Sequence, residues 1–284
     1  MQVAPEFAFN SEGDLFMRTR PPISPEEMVE NMRSALARGL PELKLFRPHG
    51  ETLAIAAGGP SLQDTYEKLE GHVAAANGSL AFLLGKGLVP HFCGVLDANP
   101  HMAGVVVADP RVNYLIASNC HPSLFDKLLA SGCKVWLWHA TGRSLGTMEA
   151  DEVLRKSRPD TWLSIFGGST IGLRLVNIGY ALGYRRFHLH GMDSSFRGDT
   201  THAYPDRRTG EWAQQSSIEV DGYRTSLNFL QQVGDFALLL SRMAKPDTDP
   251  VEFEVFGDGL LQACWHKYRE ANGSMTPKEA FQTW

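Results

Sequence analysis

Seven short apolar runs of β type, alternating with helical stretches, predict an α/β fold with a predominantly parallel sheet and helices on both faces. The runs are Leu53–Ala57, His72–Ala76, Phe92–Leu96, Tyr114–Ala117, Val135–Trp138, Trp162–Phe166 and Phe187–Leu189. Two of them end in glycine turns, Gly58-Gly59-Pro60-Ser61 and Gly167-Gly168-Ser169-Thr170. Such turns at the carboxyl ends of strands are the ligand-binding places of a Rossmann-like sheet. With 43% apolar residues in 284, the chain has material for an ordinary core.

Taken in order, residues 1–50 read as an N-terminal helical arm. Its helix opens at Ser24-Pro25-Glu26-Glu27, with Ser as N-cap, Pro at the first helical position and two acids in the first turn. Residues 51–265 read as the α/β domain itself, with its glycine turns as candidate nucleotide-binding loops. Its clearest unit, 162–190, has a strand, the second glycine turn, and Ile171, Leu175, Ile178 and Leu182 at helical spacing, with Gly183 where the helix stops. Another helical pattern runs through Val220, Tyr223, Leu227, Leu230, Val233, Ala237 and Leu240, and a last strand is expected at Val251–Phe256. Residues 266–284 are polar and read as a peripheral C-terminal tail.

Composition excludes several classes. Subtracting 32 acidic from 27 basic residues gives −5, which does not suit a nucleic-acid binder relying on a broad positive field. Cys93, Cys120, Cys133 and Cys264 form no CxxC pair, so neither a disulfide framework nor a thiolate zinc site is indicated. No apolar run approaches the roughly 20 residues of a membrane span, and Glu6 and Asn10 break any signal-peptide core. A cytoplasmic protein without a membrane span is expected; homo-oligomerisation stays open.

The residues after each strand carry the chemistry. Gly58, Gly59, Pro60 and Ser61 let a backbone approach a ligand while the following helix start offers N–H groups to a phosphate; an ordinary strand-to-helix turn is the plainer reading. The loop is neither a G-x-G-x-x-G fingerprint nor a P-loop. Gly168, Ser169 and Thr170 resemble a nucleophile elbow only superficially, since Gly172 falls three residues after Ser169 instead of two. Helix capping joined to phosphate or sugar contacts suits them better. Asp97 and Asp193 lie just past strand ends, where a carboxylate can hold Mg²⁺ against phosphate oxygens, accept from a ribose or merely cap a turn. His188 and His190 share one strand face but have no third metal ligand signposted, and His202, in Thr200-Thr201-His202-Ala203-Tyr204, can act as a general base or phosphate contact.

Three segments in this order, Ala56-Ala57-Gly58-Gly59-Pro60-Ser61-Leu62, Gly168-Ser169-Thr170 through Gly172-Leu173 to Leu182-Gly183-Tyr184, and His190-Gly191-Met192-Asp193-Ser194-Ser195, resemble the MptE-like family, over about residues 50–265. That family is named for a 6-hydroxymethyl-7,8-dihydropterin diphosphokinase and includes domains of flagellin-modification proteins. The resemblance implies a transferase that uses ATP and Mg²⁺ to move a diphosphate onto a hydroxymethyl oxygen. Asp97 and Asp193 would hold the metal. Asp97, Asp193 and His202 would be catalytic, and Gly58, Gly59, Pro60, Ser61, Asn77, Gly168, Ser169, Thr170, Ser194 and Tyr204 would bind the donor. The same loops also look like bacterial lipooligosaccharide sialyltransferases, which implies a CMP-linked sugar, no metal, a glycan acceptor and His202 as the base. A binding module that senses a nucleotide without catalysis is the third expectation.

Overall fold

In the computed structural model, the described residues are 6–9, 15–18, 23–140, 148–157, 163–205, 217–244 and 249–281. Two strands, β1 (Glu6–Phe9) and β2 (Leu15–Arg18), pair as an antiparallel hairpin ahead of helix α1 (Pro25–Ala37). The N-terminus of α1 is set by a capping box: the Ser24 hydroxyl accepts from Glu27 N–H while the Glu27 carboxylate accepts from Ser24 N–H. Met28, Met32 and Ala35 on its inner face are buried, and residue 42 pairs with the sheet beside Leu137. The expected arm is therefore packed into the domain, because its apolar stripe needs a surface to cover.

The central sheet has eight strands, all parallel, in the order β12-β9-β3-β4-β5-β6-β7-β8. They are β3 (Thr52–Ala56), β4 (His72–Ala76), β5 (Phe92–Val95), β6 (Asn113–Ala117), β7 (Lys134–Ala140), β8 (Ser164–Ile165), β9 (Arg186–His190) and β12 (Glu252–Phe256). Every expected strand is present to within a few residues; Trp162, included in one of them, lies outside the described residues. The short helices α2 (Leu62–Thr65), α3 (Ser79–Gly85) and α4 (Met102–Val105) and the longer α5 (Pro122–Ala130), α6 (Met148–Ser157) and α7 (Ile171–Ala181) occupy the crossovers.

Helix α7 is buried along most of its length. Leu175, Val176 and Ile178 are fully enclosed, each contributing about 1.5–3 kcal/mol. It lies close to the sheet because Gly94 and Gly179 leave no side chain in the way: a Cβ on Gly94 would sit 2.8 Å from Leu175, and one on Gly179 would sit 2.6 Å from Leu53. After β8 the chain returns along α7 to start β9 on the other side of β3. The strand order thus reverses between β3 and β9, which makes their carboxyl ends the topological switch point.

Two expectations change. Val220 and Tyr223 belong to a hairpin of β10 (Ile218–Val220) and β11 (Tyr223–Thr225), and the helix α8 runs only over Leu227–Met243, capped by the Ser226 hydroxyl. Asp221 and Gly222, both at positive φ, make the turn that a helix could not contain. The segment after residue 265 is not peripheral either. Helix α9 (Leu260–Glu270) continues through it and α10 (Pro277–Phe281) places Ala280 and Phe281 in the core, Phe281 edge-on to Phe236; residues 282–284 lie outside the described residues.

Candidate functional site

At the switch point the loop after β3 is tied to the loop after β9. Gly59 N–H donates to Gly191 O at 2.7 Å, and Ser61 N–H donates to Asp193 Oδ2 at 2.9 Å. Asp193 Oδ1 accepts from Gln262 Nε2 at 3.3 Å, and its backbone oxygen accepts from Leu261 N–H. Asp193, 4% exposed, thus joins the loops after β3 and β9 to helix α9, which follows β12. Burial pushes its pKa up, and the Ser61 contact partly offsets that shift. Directly beneath, His190 is fully buried and stacks on Phe256 at 4.2 Å; burial first, then neighbouring His188 and Lys68, lower its pKa to about 4.

The glycines therefore serve a different purpose from the expected one. A Cβ on Gly59 would run into the Asp193 carboxylate and lie 2.5 Å from Gly191 O, so its smallness admits the protein's own acid. The amides of Gly59 and Ser61 are committed to Gly191 and Asp193 and do not form the expected phosphate cradle. Pro60 starts the turn that leads into α2, its carbonyl accepting from Gln63 N–H, and Ser61 Oγ is buried without a partner.

Above this loop lies the segment after Gly198. Ala203 N–H donates to Gly58 O at 2.9 Å and Gln63 Nε2 donates to Ala203 O at 2.7 Å, which fixes the backbone between His202 and Tyr204. A Cβ on Gly58 would lie 2.7 Å from both His202 Cδ2 and the Tyr204 hydroxyl, and one on Gly78 would lie 3.0 Å from the Tyr204 ring. His202 and Tyr204 consequently stand over the ends of β3 and β4 together. Asn77, beside Gly78, is held at φ 51° and keeps a buried Oδ1 without a partner, an acceptor that a ligand donor would satisfy.

The second glycine turn reaches the same place through α7. A Cβ on Gly172 would lie 3.2 Å from Met192 and 3.4 Å from Ala57, so α7 begins beside the end of β3 and the β9 loop. The Thr170 hydroxyl caps α7 by accepting from Leu173 N–H. The N–H groups of Ile171 and Gly172, the first two of the helix, have no intrahelical acceptor and suit an anion. Ser169 N–H is already taken, at 2.7 Å, by Asp235 Oδ2 on α8. Gly168 O accepts from Arg174, a buried guanidinium whose pKa burial lowers to about 10.

The remaining expected residues divide clearly. Ser194 lies inside the β9 loop at φ 51°, its hydroxyl 3.3 Å from Gln232 Oε1. Asp97 caps its own turn, Oδ1 accepting from Asn99 N–H at 2.9 Å. His188 faces Glu254 at 3.5 Å. Among the described residues no group of three or more His, Cys, Asp or Glu could hold a metal ion. With both oxygens of Asp193 engaged by protein donors in a crowded, buried position, the expected Asp97–Asp193 pair does not fit Mg²⁺. Sequence reasoning missed Gln262, Asp235, Arg174 and Thr201. Gln262 and Asp235 meet partners 69 and 66 residues away, whereas Arg174 bonds the nearby carbonyls of Gly168 and Ile165 and Thr201 adjoins His202.

The sequence model of the family described as 6-hydroxymethylpterin diphosphokinase MptE-like matches residues 26–199. No curated protein matches the chain. Among solved structures, the MAf glycosyltransferase from Magnetospirillum magneticum AMB-1 is similar over 90% of this chain and 43% of its own, with a TM-score of 0.56 at 14% identity. This chain thus spans less than half of that protein, and the likeness is one of fold. The sialyltransferase CstII from Campylobacter jejuni, in complex with cytidine-5'-monophosphate, is similar over 75% of this chain and 83% of its own, with a TM-score of 0.40 at 14% identity. No helix among the described residues is long and apolar enough to cross a membrane.

Proposed function

The chain belongs to the MptE-like family, and from that premise we propose that it is a nucleotide-dependent transferase moving a glycosyl group from a nucleotide sugar to an acceptor hydroxyl. The observation that carries this reading is the placement of His202 and Tyr204 over Gly58 and Gly78, at the switch point where such sheets bind nucleotides. In the reaction the acceptor oxygen bonds to the anomeric carbon. The bond from that carbon to the donor phosphate breaks with its electron pair on the phosphate oxygen, and the acceptor proton passes to the His202 imidazole. In this reading Tyr204 and the opening N–H groups of α7 would meet the charge that develops on the leaving phosphate. Asn77 Oδ1 supplies an acceptor for a donor hydroxyl or amino group.

Diphosphoryl transfer from ATP to a hydroxymethyl group is the second reading, favoured by the family's description. It requires Mg²⁺, and the two readings therefore part on metal dependence. A thermal-shift panel of CMP, CMP-linked sugar, ATP and GTP, each with and without Mg²⁺, tests both. Ligand at a hundredfold excess over its dissociation constant stabilises by about 2.7 kcal/mol. Stabilisation by cytidine ligands without Mg²⁺, with turnover lost in His202→Ala, is expected. Stabilisation and turnover by ATP only with Mg²⁺ would replace the first reading with the second, and binding without turnover of any donor would leave a nucleotide-sensing module.

A further inference from the structure

We infer that Arg197 is a positioning residue of the candidate site: with the two arms of its guanidinium it clamps the segment carrying His202 and Tyr204 onto helix α2 and the loop after β12. The purpose of the clamp rests on the transfer reading, but its geometry does not. Arg197 Nη1 donates to Asp64 Oδ2 on α2 at 2.5 Å, and Nη2 donates to Asp258 Oδ1 at 2.7 Å. In the sheet β9 lies between β12 and β3. The segment that leaves β9 therefore grips the elements that follow both of its neighbours, Asp64 after β3 and Asp258 after β12. A planar fork can hold two carboxylates at once, which the single point charge of a lysine does less well.

The hold passes to the backbone through a tight turn. Arg197 N–H donates to Thr200 O and Thr200 N–H donates to Arg197 O, so the closed turn ends two residues before His202. On the other side of His202, Gln63 Nε2 donates to Ala203 O, and Gln63 is the residue before Asp64. Consecutive residues of α2 thus hold the segment on both sides of the imidazole. Asp64 and Asp258 are 62% and 73% exposed, so salt screens the clamp at Arg197 far more than the uncharged bonds at Ala203.

The test is amide hydrogen exchange of the full chain, followed by NMR at Thr200 and Ala203, with the amides of β9 as the internal standard. At low salt Arg197→Gln should speed exchange at both amides about threefold to tenfold and leave β9 unchanged. Raising salt to about 0.5 M should bring the wild type towards the variant while the variant itself changes little. Asp64→Asn and Asp258→Asn should each give part of the effect, and neither should add to it in the Arg197→Gln background. With a CMP-linked sugar as donor, Arg197→Gln should lower kcat about threefold to tenfold at little change in KM, because His202 stands in reach of the acceptor less often. Unchanged exchange at both amides overturns the inference whatever the activity, and so does equal acceleration in β9, which would make Arg197 a residue of general stability. Faster exchange with unchanged kcat in a protein that does turn over the donor overturns the positioning role. Faster exchange confined to the segment, in a protein that turns over no nucleotide sugar, upholds the clamp and sinks the glycosyl-transfer reading instead.

Discussion

The loop after β3 and the turn after β8 share a pattern in sequence, two glycines followed within two residues by a hydroxyl residue and a helix, yet the glycines are there for different reasons. Gly58 and Gly59 have ordinary backbone angles and are small because His202, Tyr204 and Asp193 press against them. Gly167 and Gly168 stand at φ 104° and 61°, in the region that other residues seldom enter. In both turns a serine amide binds an internal carboxylate, Ser61 to Asp193 and Ser169 to Asp235. An amide that a sequence pattern assigns to phosphate can already be filled by the protein's own acid, whereas the N–H groups opening α7 have no intrahelical acceptor.

The largest expected effect tests the steric half of this contrast. Gly59→Val forces branched carbon against Asp193 and the Gly191 backbone and should cost about 3 kcal/mol, so it disturbs the fold as well as any ligand. Gly168→Ala sets a single methyl group 2.6 Å from Leu173 Cβ and takes a strained φ of 61°, and should cost about 1–2 kcal/mol. Urea denaturation of the two variants compares them directly; an equal or reversed order would break the distinction.

The layers beneath the two turns differ as well. Arg174 under the second turn stays charged across the ordinary pH range, whereas His190 under the first is held neutral, its pKa falling from 6.5 to about 4. The unfolded chain therefore binds the proton more readily than the folded one. Stability contributed by neutral His190 is complete above pH 6.5 and is lost as the pH falls through that window towards about 4, by up to about 3 kcal/mol. His190→Phe, which can still stack on Phe256, should remove this part of the acid slope in thermal melts taken between those pH values. An unaltered slope would mean that the acid sensitivity arises elsewhere.

Asp193→Asn tests the committed carboxylate. An amide can accept from Ser61 or Gln262 but offers one oxygen where two were used, so stability at neutral pH should fall by about 1–2 kcal/mol, with no change in any response to Mg²⁺. A specific loss of Mg²⁺-dependent turnover with unchanged stability would return Asp193 to the role of metal ligand.

The smallest effect sharpens the contrast between the hydroxyls. Thr170→Ala removes a working helix cap and should cost about 1 kcal/mol. Ser61 Oγ caps nothing and is buried without a partner, so Ser61→Ala should change stability by less than about half that amount. A large loss in Ser61→Ala would point to an ordered water bridging its hydroxyl.

The sequence by itself determined the strands and their approximate limits, the α1 and α7 helices with their Ser24 and Thr170 caps, and the position of the Gly58–Ser61, Asp97, Gly167–Thr170 and Asp193 turns at the carboxyl ends of strands in one sheet. These rest on local signals: apolar runs, capping side chains and the rule that strand ends of a parallel sheet share an edge. Where local signals mislead, a competing local rule or a distant partner prevailed, as with the Asp221-Gly222 turn inside a helix-like pattern and the burial of Phe281 against Phe236. Only the tertiary structure decided what each polar group of the site does. Asp193 meets Ser61 across 132 residues and Gln262 across 69, and Ala203, in the segment after β9, reaches Gly58 O in the loop after β3. Whether a carboxylate is open to a ligand or spent on a buried amide depends on such distant partners, because desolvation obliges every enclosed polar atom to find one, and no spacing along the chain records which it will be.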